Sequence, residues 1–391
     1  MDLRLALVTT SLRARSGADR VILRIARHFD ATIFCPSYDP DNIYPEFSKV
    51  NFETAKPGLS TNIPIARSVF DVIDNSRYFL DLKIKGFDVI NPHVPPSEWV
   101  RRNNSPVLWY CYSPYRFAFD LRDWKMARMN LAGKVMLGSW VEVFKRIEFG
   151  IIPKIEYLFT TSEECRLRIK KYLKRESEVL YPGIDSERFS NRGQENFFLL
   201  PSRFEPEKEL EFAIDAFTLF KKRTESPGQH AGSRWRLVLA GGTMDLELPQ
   251  RYLKKIRALA EEANSRFGHK AITIETDITD ERMADLYSRC HCTVFSPPFE
   301  DFGLVPLEGM ASGKPCIGRD SAGPRETIID GEDGFLVNSV EGMADKMALL
   351  AADPEKAAAM GRSGRAKVVK KFTWKRFLDR FEEKAREMVA R

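Results

Sequence analysis

The sequence predicts an α/β protein built from two doubly wound, parallel-sheet domains. Three observations carry the prediction. Short apolar, β-branched runs alternate with amphipathic stretches along most of the chain, which is the pattern of βα units. The 391 residues divide into about two domains of ordinary size. The alternation also restarts midway, after a polar, turn-rich segment running from Tyr181-Pro182-Gly183 to Asn191-Arg192-Gly193 that reads as a linker.

In the first half, strands are expected at Leu3–Thr9, Ala31–Cys35, Val89–Asn91, Val107–Cys111, Tyr157–Thr161 and Glu178–Tyr181, with helices at Asp19–Phe29 and Glu163–Lys174. Each strand is short and apolar, as expected where helices cover both faces of a sheet. In the second half, strands are expected at Asn196–Pro201, Trp235–Ala240, Ala271–Glu275, Cys292–Ser296 and Pro315–Gly318. The expected domains are 1–190 and 191–371, with an amphipathic helix over 372–391 packing back on the first. Thr224–Ser233 reads as a solvated insertion, and Asp39-Pro40-Asp41 as a turn.

Composition narrows the function classes. With 43% hydrophobic and 30% charged residues, the chain can fill two cores and is not a disordered polymer. Its net charge of +6 is too thinly spread for a dedicated nucleic-acid binder and suits phosphate-bearing ligands or an anionic membrane surface. The six cysteines are scattered, and Cys290-His291-Cys292 lacks the two-residue spacer of a zinc knuckle. Buried thiols in a reducing cytosol are therefore expected, and no metal. Met1–Val8 reads as a first strand and not a signal peptide. No run of about 18 apolar residues is present.

Ligands of open α/β sheets bind beyond the carboxyl ends of the strands. At one such end stands Phe295-Ser296-Pro297-Pro298-Phe299-Glu300-Asp301-Phe302-Gly303-Leu304-Val305-Pro306-Leu307-Glu308-Gly309-Met310-Ala311-Ser312-Gly313-Lys314-Pro315. A helix starting near Gly303 would leave the N–H groups of Gly303, Leu304 and Val305 as donors for an anion. Glu300 and Glu308 would bracket a ligand rich in hydroxyls. Arg203 and Lys208, in Ser202-Arg203-Phe204-Glu205-Pro206-Glu207-Lys208, follow another strand, and Gly241 follows the next. Cations there suit a phosphate-bearing ligand, and a glycine permits close approach of a ligand to the backbone.

The run Glu300–Pro315 resembles the signature of family-4, GT-B-fold retaining glycosyltransferases, and the chain is similar to their mannosyltransferase-like members. The resemblance implies two Rossmann-like domains with an interdomain cleft. It implies that Arg203, Lys208 and Glu300 are catalytic, that Glu300 faces the donor sugar, that Phe302 is substrate-binding, that Glu308 takes the ribose hydroxyls, and that Gly303, Leu304 and Val305 hold the diphosphate. Asp320–Val337 resembles the family's next segment, with Ala322 where a first glycine is common, and Glu275–Ile278 is where the nucleobase lies in such enzymes. In the first domain, Arg15-Ser16-Gly17-Ala18 resembles the family's glycine-rich loop, placing Gly17 near the diphosphate. Trp109–Asp120 resembles a block in which Tyr112 replaces the usual histidine, as a donor-sugar contact. His93, at another strand end, is a further candidate for the cleft.

The expected activity is retaining transfer of a hexose, mannose from GDP-mannose, to a lipid-linked or cell-surface glycan acceptor. Domain closure would exclude water, and the departing phosphate would receive the acceptor proton. No cofactor is implied. Two alternatives stay open: a UDP-sugar donor (glucose, galactose or N-acetylglucosamine), and a catalytically silent glycan-binding subunit. Between Tyr115 and Lys154, eight basic and four acidic residues interleave with Trp124, Met136, Trp140, Phe144 and Phe149. Such a stretch suits the headgroup layer of a membrane. The expected location is the cytoplasm, peripherally on the inner face of the cell membrane.

Overall fold

The computed structural model describes residues 3–13, 15–55, 76–127, 129–224, 235–243 and 247–390, so most of the expected insertion at Thr224–Ser233 lies outside the described residues. The chain divides into two compact units, Met1–Pro182 with Trp374–Arg391, and Gly183–Thr373.

In the first unit, β1 (Leu5–Val8), β2 (Thr32–Cys35), β3 (Asn51–Thr54) and β4 (Val89–Pro92) form a parallel sheet of order β3-β2-β1-β4. Parallel strands β5 (Leu108–Cys111), β6 (Tyr157–Thr160) and β7 (Glu178–Val179) continue it, joined through the Ile90–Val107 bridge. β1, β4 and β5 are buried along their whole length, because helices cover both faces. β3 was not anticipated from the sequence. Asn-Phe-Glu-Thr is a mostly exposed edge strand and lacks the apolar signature of its neighbours.

The helix expected at Asp19–Phe29 begins earlier, at Gly17, because the Ser16 side chain caps the Asp19 N–H while Asp19 accepts from the Ser16 N–H. This capping box supplies acceptors for two of the backbone donors that a helix start leaves unpaired. The helix expected at Glu163–Lys174 is α-helical only to Arg168 and continues as a wider turn over Ile169–Leu173. Beneath the helix Leu131–Ile151, two fully buried carboxyl groups, Glu98 and Glu148, approach each other, and the Trp99 indole N–H donates to Glu148 Oε2 at 2.7 Å. Burial raises both above the ordinary carboxylate range, Glu148 to about 7.

The second unit holds β8 (Phe197–Pro201), β9 (Arg236–Gly241), β10 (Ile272–Thr276), β11 (Cys292–Phe295), β12 (Cys316–Arg319) and β13 (Gly334–Val337), all parallel, in the order β10-β9-β8-β11-β12-β13. Its core runs from Phe198, Leu237 and Val294 to Phe217, Ile256 and Met347 on the covering helices. This unit begins at Gly183, earlier than the expected 191, because the segment between is bonded into it. The Ile184 N–H donates to the Phe372 carbonyl at 2.9 Å, and the Arg192 N–H to the Ser288 carbonyl at 2.9 Å. Buried Lys314 completes the attachment by donating to Asn191 Oδ1 at 3.0 Å and to the Gly193 carbonyl. The helix Trp374–Val389 buries Phe377, Phe381 and Ala385 in the core of the first unit.

Candidate functional site

Each unit has a point where strand order turns back on itself: between β1 and β4 in the first, and between β8 and β11 in the second. Open α/β sheets place their ligand crevices at such points. In the second unit, the loop after β8 lies against the loop after β9. The Ser202 N–H donates to the Ala240 carbonyl at 2.9 Å and the Phe204 N–H to the Gly242 carbonyl at 3.2 Å. Gly241 makes this approach possible, since a Cβ there would fall 1.9 Å from the Ser202 carbonyl oxygen. Arg203 is half exposed and pairs with Glu205 at 3.1 Å.

Lys208 ends the short turn Pro206–Lys208. Its Nζ reaches Glu300 Oε2 at 2.7 Å, with both side chains mostly buried. The Ser296 hydroxyl donates to the Lys208 carbonyl at 2.8 Å, and the Gly323 N–H to the Glu300 carbonyl at 3.0 Å. The loop carrying Glu300 is thus held from both sides. A side chain on Gly323 would strike the Phe302 backbone at 2.4 Å, so the second glycine position is fixed by packing. Ala322 before it adopts a left-handed φ of 35°, a conformation in which glycine would be unstrained.

Gly303, at φ 92°, precedes the helix Leu304–Ala311, which has no side-chain cap. The N–H groups of Gly303, Leu304 and Val305 have no partner among the described residues, and together with the helix dipole they favour an anion. Glu308 lies one turn into that helix, where buried Tyr287 donates to its Oε2 at 2.9 Å. In the neighbouring loop, the Asp277 N–H donates to the Gly241 carbonyl at 2.9 Å while Glu275 holds Arg282 through two contacts of 2.8 and 2.9 Å. The Glu275 carboxylate is therefore turned to its own following helix.

The structure brings Lys208 and Glu300 together directly and sets Gly241 beneath the Arg203 loop. Arg203 and Glu308 keep partners of their own. In the first unit, Gly17 opens its helix, and the Tyr112 hydroxyl donates to the Ala18 carbonyl at 3.0 Å, so these two sequence-selected elements meet. Sequence reasoning missed Ser296, Tyr287 and Gly323 as residues that position the site. Serine after a strand and tyrosine in a helix carry no local signal; only Gly323, ahead of Pro324, marked a turn. Among the described residues no cluster of three metal-ligating side chains occurs. His291 uses its ring Nε2 on the Leu350 carbonyl, 2.8 Å away.

Two successive parallel units with this strand order are the architecture of GT-B glycosyltransferases. Comparison with known proteins makes the assignment specific. Residues 184–367 match the family described as glycosyl transferases group 1. The chain is 31% identical to the α-1,3/1,6-mannosyltransferase ALG2 of Dictyostelium discoideum, over 92% of this chain and 93% of that protein. It is 25% identical to ALG2 of Mus musculus, over 95% and 94%. Among solved structures, sucrose-phosphate synthase from Thermosynechococcus elongatus superposes with a TM-score of 0.75 at 19% identity, covering 99% of this chain and all of that one. The chain belongs to the group 1 glycosyltransferase family, and it is a glycosyltransferase enzyme.

Proposed function

We propose that the protein transfers mannose from GDP-mannose, with retention of configuration, to a hydroxyl of a lipid-linked glycan. The observation that carries this reading is the Lys208–Glu300 pair at the switch point beside an uncapped helix start. The full-length similarity to proteins named as mannosyltransferases supports the choice of sugar.

In this reading the second unit, 191–371 in the expected division, binds the nucleotide sugar, and the first binds the acceptor. The diphosphate lies on the N–H groups of Gly303 to Val305, with Arg203 and Lys208 taking up charge as the glycosidic bond breaks. Fixed donors aimed at developing charge stabilise the transition state more than the ground state. Glu300, positioned by Lys208, orients the donor sugar next to Phe302. Glu308, held by Tyr287, accepts from the ribose hydroxyls. The departing phosphate oxygen takes the acceptor proton.

The same reading places the enzyme on an anionic membrane surface at the cytoplasmic side. No helix among the described residues is long and apolar enough to cross a bilayer. The helix Leu131–Ile151 exposes Leu131, Val135, Met136, Val143 and Phe149, with Lys134, Lys145 and Arg146 interspersed. Apolar side chains between cations are suited to the headgroup boundary.

Thermal stabilisation by nucleotides tests the donor. GDP at about 100 times its Kd stabilises the folded state by about 2.7 kcal/mol. GDP and GDP-mannose are expected to raise Tm while UDP does not, and Arg203→Ala is expected to lose most of the shift. A UDP-selective shift moves the donor to a UDP-sugar. No shift with either nucleotide overturns the reading.

A further inference from the structure

The first unit has its own switch point, between β1 and β4, and buried polar atoms without partners among the described residues lie on the segments that follow its strands. Thr9 follows β1 and His93 follows β4, and the His93 N–H donates to the Val8 carbonyl at 2.9 Å, so the two strand ends are adjacent. Ser113 lies just beyond β5, the next strand. Thr9 Oγ1, His93 Nε2 and Ser113 Oγ are all buried and have no hydrogen-bond partner among the described residues. Buried polar groups are almost always paired, and each exception calls for a partner. Three of them follow neighbouring strands at the carboxyl end of one sheet, where open α/β sheets take their ligands, and a hydroxylic ligand suits all three.

The hydrogen-bond chain behind His93 defines what it can accept. The Tyr112 hydroxyl gives its one hydrogen to the Ala18 carbonyl at 3.0 Å. Its oxygen, 3.0 Å from His93 Nδ1, is then an acceptor, so Nδ1 carries the proton. Nε2 is left as a bare lone pair. Burial lowers the ring's pKa to about 3, which keeps it neutral at physiological pH. The Ser97 hydroxyl lies 3.0 Å from the His93 N–H and holds the backbone rather than the ring.

We propose that His93 Nε2, with Thr9 and Ser113, forms a subsite that accepts a hydrogen bond from a sugar hydroxyl, and that Tyr112 is the positioning residue that sets the imidazole tautomer. The inference rests on the glycosyltransfer reading above for its ligand class. It assigns Tyr112 a role through His93 in place of a direct contact with the donor sugar. The hydroxyl belongs to either the donor or the acceptor sugar, and the two sources are separable.

The test uses the full chain with 15N-labelled histidine, the His93 resonances being identified by their loss in His93→Gln. In the free protein His93 is expected as the Nδ1–H tautomer, and Tyr112→Phe is expected to shift it toward a tautomer mixture. Saturating methyl α-D-mannopyranoside probes the acceptor source and GDP-mannose the donor source. The one that supplies the hydroxyl is expected to move Nε2 upfield, and the near-isosteric Thr9→Val is expected to weaken that ligand's binding about threefold to tenfold. His93→Phe is expected to raise KM for the same sugar by at least about tenfold, with His93→Gln, which keeps an acceptor, restoring part of the loss. If GDP-mannose raises Tm yet neither sugar moves Nε2, the subsite is overturned and the donor reading stands. If no nucleotide binds and methyl mannoside also leaves Nε2 unmoved, both fall. An Nε2 protonated in the free protein would overturn the subsite by itself.

Discussion

Lys208 Nζ and Glu300 Oε2 lie 2.7 Å apart across 92 positions of sequence. The pair joins the strand-end loop after β8 to the loop after β11, the two sides of the switch point. In the proposed function each residue has two tasks: to hold the other in place, and to meet a ligand of opposite charge or of hydroxyl character.

Removing either member is expected to have unequal effects. Lys208→Ala should lower kcat by about 10²- to 10³-fold, the cost of losing a preorganised donor to developing charge. GDP affinity should fall by roughly tenfold through the lost charge-assisted contact. Glu300→Gln keeps the shape and frees Lys208 for phosphate, so GDP should bind as well or slightly better while kcat falls. Steady-state kinetics and calorimetric titration with GDP separate the two patterns. Equal loss of GDP binding in both variants would show that the pair acts only as a structural clasp.

Gly241→Ala is expected to disturb the donor site from beneath. A Cβ 1.9 Å from the Ser202 carbonyl oxygen forces the Arg203 loop away from β9. Overpacking of this kind costs about 1–3 kcal/mol. Chemical denaturation should show that loss, and the GDP-induced Tm shift should shrink with it. Gly242, whose added Cβ would meet nothing within 4 Å, is the control, and its alanine variant should stay close to wild type in stability.

The buried Glu98–Glu148 pair should impose a pH dependence on stability. Glu148 is raised from 4.5 to about 7, chiefly by burial. A folded state that holds a proton the unfolded chain has released gains stability from it. That gain is full below about pH 4.5 and is lost as pH rises through about 7. Glu148→Gln keeps an acceptor for the Trp99 indole and removes the titration. Its Tm, followed by circular dichroism, should therefore decline less than that of wild type between pH 5 and 8. Parallel Tm curves would refute the raised titration of Glu148.

Membrane contact is expected to depend on the exposed side of the helix Leu131–Ile151. Sedimentation with vesicles containing a third phosphatidylserine should carry wild type down at low salt and less of it at high salt, because surface charges are screened. Val135→Glu with Phe149→Glu should abolish the association while leaving GDP binding unchanged. Retention of vesicle binding by that double variant would place the contact elsewhere.

The parts of this molecule legible in the sequence were those with a local signature. Buried parallel strands such as Leu108–Cys111 are continuous apolar runs, and the helix start at Gly303 was marked by its glycine and the loop before it. The polar edge strand Asn51–Thr54 had no such mark, and the true start of the second unit at Gly183 depended on hydrogen bonds to Phe372 and Ser288, far along the chain. The same holds within the site. Arg203, Lys208, Glu300 and Glu308 were visible as motif members, but which of them touch was not. Lys208 meets Glu300, whereas Arg203 turns to Glu205 and Glu308 to Tyr287. Pairings over such separations are set by tertiary packing, to which spacing in one sequence is blind.

The hydrogen bond from Ser296 to the Lys208 carbonyl ties the two motif loops to each other. Loops tied to each other in this way have less ordering entropy to lose on capturing a ligand. Nucleotide association should accordingly be a single fast phase whose rate rises linearly with nucleotide concentration, without the plateau that a slow rearrangement would introduce.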